Sequence, residues 1–153
     1  MAGVYGDWCV AIHESGHAVV AHFGGGEVQR VSIQPHATAD GHTQVVMRGD
    51  VKTNVRKTVE FLLAGGAAVA RDGECCDHPR AEHSASVDRG EITELFDECR
   101  VADAERLPIE RAAAESVDAI LTARWSTVEA LAHALVERRT LLTAEIDSII
   151  AGH

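Results

Sequence analysis

Apolar residues crowd the stretch from Trp8 to Phe23 and thin into spaced stripes beyond it. Within that stretch Val10, Ile12, Ala18, Val19, Val20 and Phe23 cover most of the circumference of a helix, the pattern of a helix buried on most sides. Asp7 is the expected N-cap, and Gly24-Gly25-Gly26 the expected stop, since glycine accepts the left-handed conformation that ends helices. Val28, Val31 and Ile33 then lie among polar residues, Pro35 breaks the pattern, and Thr43 to Met47 resume it. Two short strands joined by the polar loop Pro35 to His42 follow from this. Helical spacing returns between Thr53 and Arg71 and runs into a small-residue patch, Ala64 to Ala68, over which another helix could pass closely. Asp72 to Ser86, rich in Gly, Asp, His, Pro and Ser, reads as a surface loop.

Beyond it, Ile92, Leu95, Phe96, Cys99 and Val101 predict a helix beginning near Asp88. A second, opening near Pro108, carries Ala112, Val117, Ile120, Leu121 and Trp125. Ser126 and Glu129 have the spacing of a capping box ahead of a third helix with the stripe Val128, Leu131, Ala132, Leu135 and Val136. Thr143 is placed to cap a short last helix holding Ile146, Ile149 and Ile150. The fold class is mainly α with a small β-sheet: one buried helix, short strands, then a C-terminal helical bundle. His133, alone on that bundle, is expected to be an ordinary packed or surface histidine.

A chain of 153 residues fits a single domain, 1–153, able to bury a core without staples. With only 4% aromatic residues, that core must be built from Ala, Val, Leu and Ile. The net charge of −10 argues against nucleic acid or an anionic membrane as partner. No apolar run approaches the roughly 18 residues of a spanning helix, and no basic region followed by an apolar one opens the chain, so the expectation is no membrane insertion and a cytoplasmic location. Cys9, Cys75, Cys76 and Cys99 show no framework spacing and are expected to be free thiols.

The candidate chemistry lies in the buried helix, at His13-Glu14-Ser15-Gly16-His17. Residues four apart on a helix differ by roughly 40° around its axis, so His13 and His17 stack on one face and could share a metal ion. Glu14 would stand beside that ion, where it could take a proton from an activated water, the physical content of the H-E-x-x-H pattern. Burying two histidines and a glutamate without partners is costly, and a shared metal removes most of the cost. Catalytic zinc normally has three protein ligands, so a third must come from elsewhere. Asp88 stands out, at the expected start of a helix and after the small residues Ser84, Ala85 and Ser86; as an N-cap it would make equal sense. Glu60, His83, Glu91 and Glu94 remain open. Cys75, Cys76, His78 and His83 could in principle hold a second zinc, but vicinal cysteines lack the spacing of structural sites.

AIHESGHAVVAHF, followed by VQRVSIQP and GHTQVV, resembles the peptidase domain of the FtsH family of membrane-anchored, ATP-dependent zinc proteases. LLAGGAAVA looks like that family's L-A-G-R-A-A-E-E helix, SASVDRGEI like its G-A-x-x-D-[LI] segment, and VEALAHALVERRTLLTAEIDSII like its closing helices. The similarity is collinear over nearly the whole chain. It implies an FtsH-peptidase-like fold, His13 and His17 as Zn2+ ligands, Glu14 as catalytic base, and Asp88 as third ligand. Gly66, Val69 and Ala70 stand where the family has Arg and an acidic pair, and the segment before Asp88 lacks the usual glycine. These 153 residues contain no Walker motif and no membrane span, and a separate ATPase is a possible partner.

The resemblance thus implies a zinc metalloendopeptidase acting on flexible or unfolded polypeptides. Gly41 to Val46 is the expected edge strand that aligns substrate in extended form. Hexameric packing in the family implies a homo-oligomer. Two competing readings are a metal-stabilised, non-catalytic interaction module derived from such a peptidase, or one active only with an ATPase partner, and a chance motif in a helical protein without metal.

Overall fold

Helix α1 (Ala2–Phe23) is buried continuously from residue 9 to residue 21, as its crowded apolar pattern requires, and the other elements are laid around it. The computed structural model describes residues 2–35, 41–50, 54–75 and 79–153, except for the side chains of residues 2–5 and 79–87. After α1 come β1 (Glu27–Ser32), β2 (His42–Val46), α2 (Val55–Arg71), α3 (Pro79–Glu98), α4 (Asp103–Ala123), α5 (Trp125–Arg138), β3 (Thr140–Leu142) and α6 (Thr143–Ala151). The protein is therefore mainly helical with a small three-stranded antiparallel sheet, in the order β2-β1-β3. Among the described residues no helix is long and apolar enough to cross a membrane.

The glycine stop works as expected. Gly25 takes φ +92°, and the Gly26 and Gly25 amides donate to the carbonyls of Ala21 (2.9 Å) and His22 (3.2 Å), the bonding pattern of a Schellman motif. The chain reverses there into β1, whose pairing with β2 (Glu27 opposite Val46, Ser32 opposite His42) holds β2 beside α1. On the other side Val31 pairs with Leu141 of β3, a strand too short to give a periodic signal in the sequence.

Against α1 lies α2, and the small-residue patch has the packing role its composition suggested. A Cβ on Gly16 of α1 would stand 2.6 Å from the Ala68 Cβ and 2.8 Å from the Ala64 carbonyl oxygen. The main core joins α1 to α5 and the sheet through residues such as Ile12, Val19, Val31, Leu131, Leu135 and Leu141. A second cluster, Val59, Leu62, Ile92, Leu95, Phe96 and Ala113, fastens α3 and α4 to α2.

Several expected boundaries are corrected. Asp7 lies inside α1, where it pairs with Arg139 at 2.5 Å instead of capping. The expected loop to Ser86 gives way to helix at Pro79, a residue suited to a first helical position because it has no amide to satisfy. Asp88 consequently sits mid-helix in α3, which removes its reading as an N-cap. Helix α4 opens at Asp103 and contains Pro108, its first turn secured by Arg106, which donates to the Val101 carbonyl and reaches Asp97 at 2.8 Å. Ser126 lies within α5 and makes no capping bond, and Thr143 donates to the Gln29 carbonyl of β1. Cys9 and Cys75 form a disulfide with Cα atoms 5.4 Å apart, against the expectation of free thiols, which Cys99 meets. Their separation of 66 residues gave no spacing to read. Cys76, His78, the His83 side chain and the loop residues 36–40 lie outside the described residues.

Candidate metal centre

The i, i+4 spacing on α1 sets the His13 and His17 rings on one face, with centroids 4.7 Å apart and Nε2 atoms 3.0 Å apart. Asp88 reaches this pair from α3: its Oδ2 lies 3.0 Å from His13 Nε2 and 3.2 Å from His17 Nε2. These three are the described His, Cys, Asp and Glu residues whose ligand atoms converge, and this buried group could bind a metal ion. Ligands about 2.0–2.1 Å from a tetrahedral zinc lie roughly 3.3–3.4 Å apart, so the observed triangle needs only a slight expansion to close on such an ion. Two imidazole nitrogens and one carboxylate oxygen are a borderline-to-hard donor set, suited to zinc and to neighbouring divalent transition metals.

The surroundings fit an ion as well. A Cβ on Gly65 of α2 would lie 2.5 Å from both Nε2 atoms, so the glycine leaves room for the imidazole tips where any side chain would displace them. His17 Nδ1–H donates to the Phe61 carbonyl at 2.6 Å, and the Phe61 ring packs on the imidazole at 4.8 Å. That bond fixes the tautomer leaving Nε2 as the ligand atom. Phe61 could not have been singled out from sequence, because it acts through its main chain.

Without a cation, His17 and Asp88 form an ion pair. Burial pushes the His17 imidazole down, but its bond to Asp88, the charges of Glu14 and Asp88, and the Phe61 carbonyl outweigh burial and raise its pKa to about 9. Burial pushes Asp88 up, and its bonds to the two imidazoles prevail and hold it at about 2. Glu91, one turn beyond Asp88 on α3, is raised by partial burial and by the Asp88 charge.

Glu14 is itself buried, 6% exposed, and near enough to His17 for its charge to bear on that imidazole. Thr43 Oγ1 of β2 stands 2.5 Å from Glu14 Oε2. Beside this contact, between β2 and α2, a groove of about 490 Å³ is lined by residues including Thr43, Val45, Met47, Asn54, Thr58 and Phe61.

The other open candidates stay apart from the cluster. Glu60 is buried on α2 and pairs with Arg56 (3.3 Å) and Lys57 (3.4 Å) on its own helix. Glu91 and Glu94 are exposed. Cys75 is taken up in the disulfide, and His133 packs on Trp8, with ring centroids 4.8 Å apart. No protein-family model matches the chain, and no curated protein matches it either.

Proposed function

We propose that this protein is a zinc-dependent metalloendopeptidase, built like the peptidase domain of the FtsH family and acting on flexible or unfolded polypeptides. One observation carries the reading. His13 Nε2, His17 Nε2 and Asp88 Oδ2 form a triangle with edges of 3.0 to 3.2 Å, with the buried carboxylate of Glu14 adjacent in sequence and electrostatically coupled to it. A purely structural zinc is closed by four protein ligands and has no use for a neighbouring base, whereas three ligands and a carboxylate match a hydrolytic site. Among the described residues the ligand group numbers three.

His13, His17 and Asp88 would hold the ion, with the Phe61 carbonyl orienting one imidazole. Bound there, zinc would supply Lewis acidity, acidifying water and polarising a carbonyl. Glu14 then takes a proton as water attacks the scissile carbonyl, and returns it to the departing amine. β2, at one edge of the sheet, offers main-chain groups for pairing with an extended peptide, and the groove behind it offers room for a side chain.

Zinc quantification paired with casein cleavage tests this for the wild type, Glu14→Gln and Asp88→Asn. The wild type should bind one zinc and cleave. Glu14→Gln should keep the zinc and lose at least 100-fold in turnover, the usual weight of a general base, while Asp88→Asn should lose both. Zinc retained with no wild-type cleavage would identify a metal-stabilised interaction module, and normal turnover by Glu14→Gln would refute the assignment.

A further inference from the structure

We propose that Thr43 is a positioning residue for Glu14: its hydroxyl, at the start of β2, fixes the direction of the buried carboxylate, and Gly41 leaves the space in which it lies. The inference rests on the peptidase reading for the role of Glu14, and on its own geometry for the rest.

The helix alone cannot aim this side chain. Consecutive residues on a helix point roughly 100° apart, so Glu14 leaves α1 well off the stripe shared by His13 and His17. Its three rotatable bonds leave the carboxylate undetermined unless a group outside α1 fixes it. That group is on β2. Thr43 Oγ1 lies 2.5 Å from Glu14 Oε2 and 3.2 Å from the Glu14 carbonyl oxygen. A hydroxyl has one proton to give, and the shorter, charge-assisted contact takes it. Thr43 supplies a side-chain donor to this buried carboxylate, which without one would be costly to bury.

Gly41 completes the arrangement. A Cβ there would fall 2.8 Å from Glu14 Cγ, 3.0 Å from Oε1 and 2.8 Å from Val10 Cγ1. The Glu14 side chain therefore runs directly over the Gly41 backbone, which forms one wall of its path while Thr43 fixes its end. Threonine suits the post better than serine, since its methyl group restricts χ1 and so the direction of the hydroxyl. The antiparallel register with β1, Val31 opposite Thr43, sets Thr43 beside Glu14, in the fourth turn of α1.

Thr43→Val, Thr43→Ser and Gly41→Ala in the full zinc-loaded chain test the proposal, read by steady-state kinetics, zinc stoichiometry and crystal structures of the variants. Thr43→Val should lower kcat by 10- to 100-fold with KM within two-fold and one zinc still bound, and its structure should show the Glu14 carboxylate turned from its wild-type position. Thr43→Ser should recover most of the lost kcat. Gly41→Ala, which keeps the hydroxyl and adds bulk, should lower kcat and shift Glu14 as well. Wild-type kcat in Thr43→Val, a serine variant no better than valine, or an unmoved Glu14 would each overturn the role. If wild-type protein binds zinc and cleaves nothing, the peptidase reading fails, and the Glu14 position in Thr43→Val still decides whether Thr43 holds it.

Discussion

His17 is gripped at both ends of its ring, by the Phe61 carbonyl on Nδ1 and by Asp88 at Nε2. Its titration therefore separates the metal-free protein from the metal-loaded one. Metal-free, His17 has a pKa raised from 6.5 to about 9, so its stabilising contribution is complete below pH 6.5 and is lost as pH climbs through about 9. Asp88, lowered from 3.8 to about 2, contributes fully above pH 3.8 and loses its contribution as pH falls through about 2. Chelator-treated protein should thus melt highest between about pH 4 and 6.5 and at lower temperature by pH 9.5. A metal needs a neutral imidazole at His17, so its affinity should move the other way, rising as pH climbs towards about 9, with a proton released on binding below that pH. Scanning calorimetry with and without zinc across this range checks both signs. At this scale the sequence was eloquent about candidate ligands and silent about their supports: the pairing of His13 with His17 is legible because their fixed spacing sets both on one face of a helix. Phe61 contributes a carbonyl and an apolar ring, and Gly65 the lack of a side chain, so neither offers a metal-ligating group to announce it.

Elements were legible where a periodic signal was long. The end of α1, β1, β2 and the stripe of α5 (Val128, Leu131, Ala132, Leu135) lie where hydrophobic spacing put them, whereas α1 begins at Ala2, ahead of the expected cap at Asp7. The start of α3 was not legible, because Gly73, Asp77, His78 and Pro79 read as loop punctuation, although Pro79 suits a first helical position and Arg80, Ala81, Glu82 and Ala85 after it are helix formers. β3, three residues long, is specified by its partner β1 instead of by its own pattern. β2 is the element on which recognition would depend. Among the described strands it pairs with β1 alone, and His42, Gln44 and Val46 are its exposed positions. Proline at each of these in turn should, wherever it removes an outward amide, cut peptide cleavage by at least 10-fold and leave the zinc content at one. Unchanged cleavage in all three variants would remove the strand from substrate alignment.

For the molecule as a whole, the strongest tie that composition did not reveal is the Cys9–Cys75 disulfide, which joins the first turns of α1 to the turn after α2. Closing a loop of 66 residues removes unfolded-state freedom equivalent to about 4 kcal/mol in the chain-entropy account, within a usual range of roughly 2–4 for proteins of this kind. A Cys9→Ser, Cys75→Ser double variant should lose about 2–4 kcal/mol in urea unfolding without changing its zinc stoichiometry. Equal stability with and without the bridge would show that the denatured chain already keeps these ends together.

Cys9, His13 and His17 follow one another at intervals of four along a single stripe of α1. The disulfide ties the top of that stripe to residue 75, and a metal would tie the rest of it to residue 88. The two tethers therefore enclose nearly the same length of chain. Once either is closed, the other closes a path of only about 20 residues and removes about 1 kcal/mol less chain freedom than it would alone, so each softens the loss of its neighbour: oxidation of the thiols would partly shelter the protein from chelators, and a bound cation would partly shelter it from reductants.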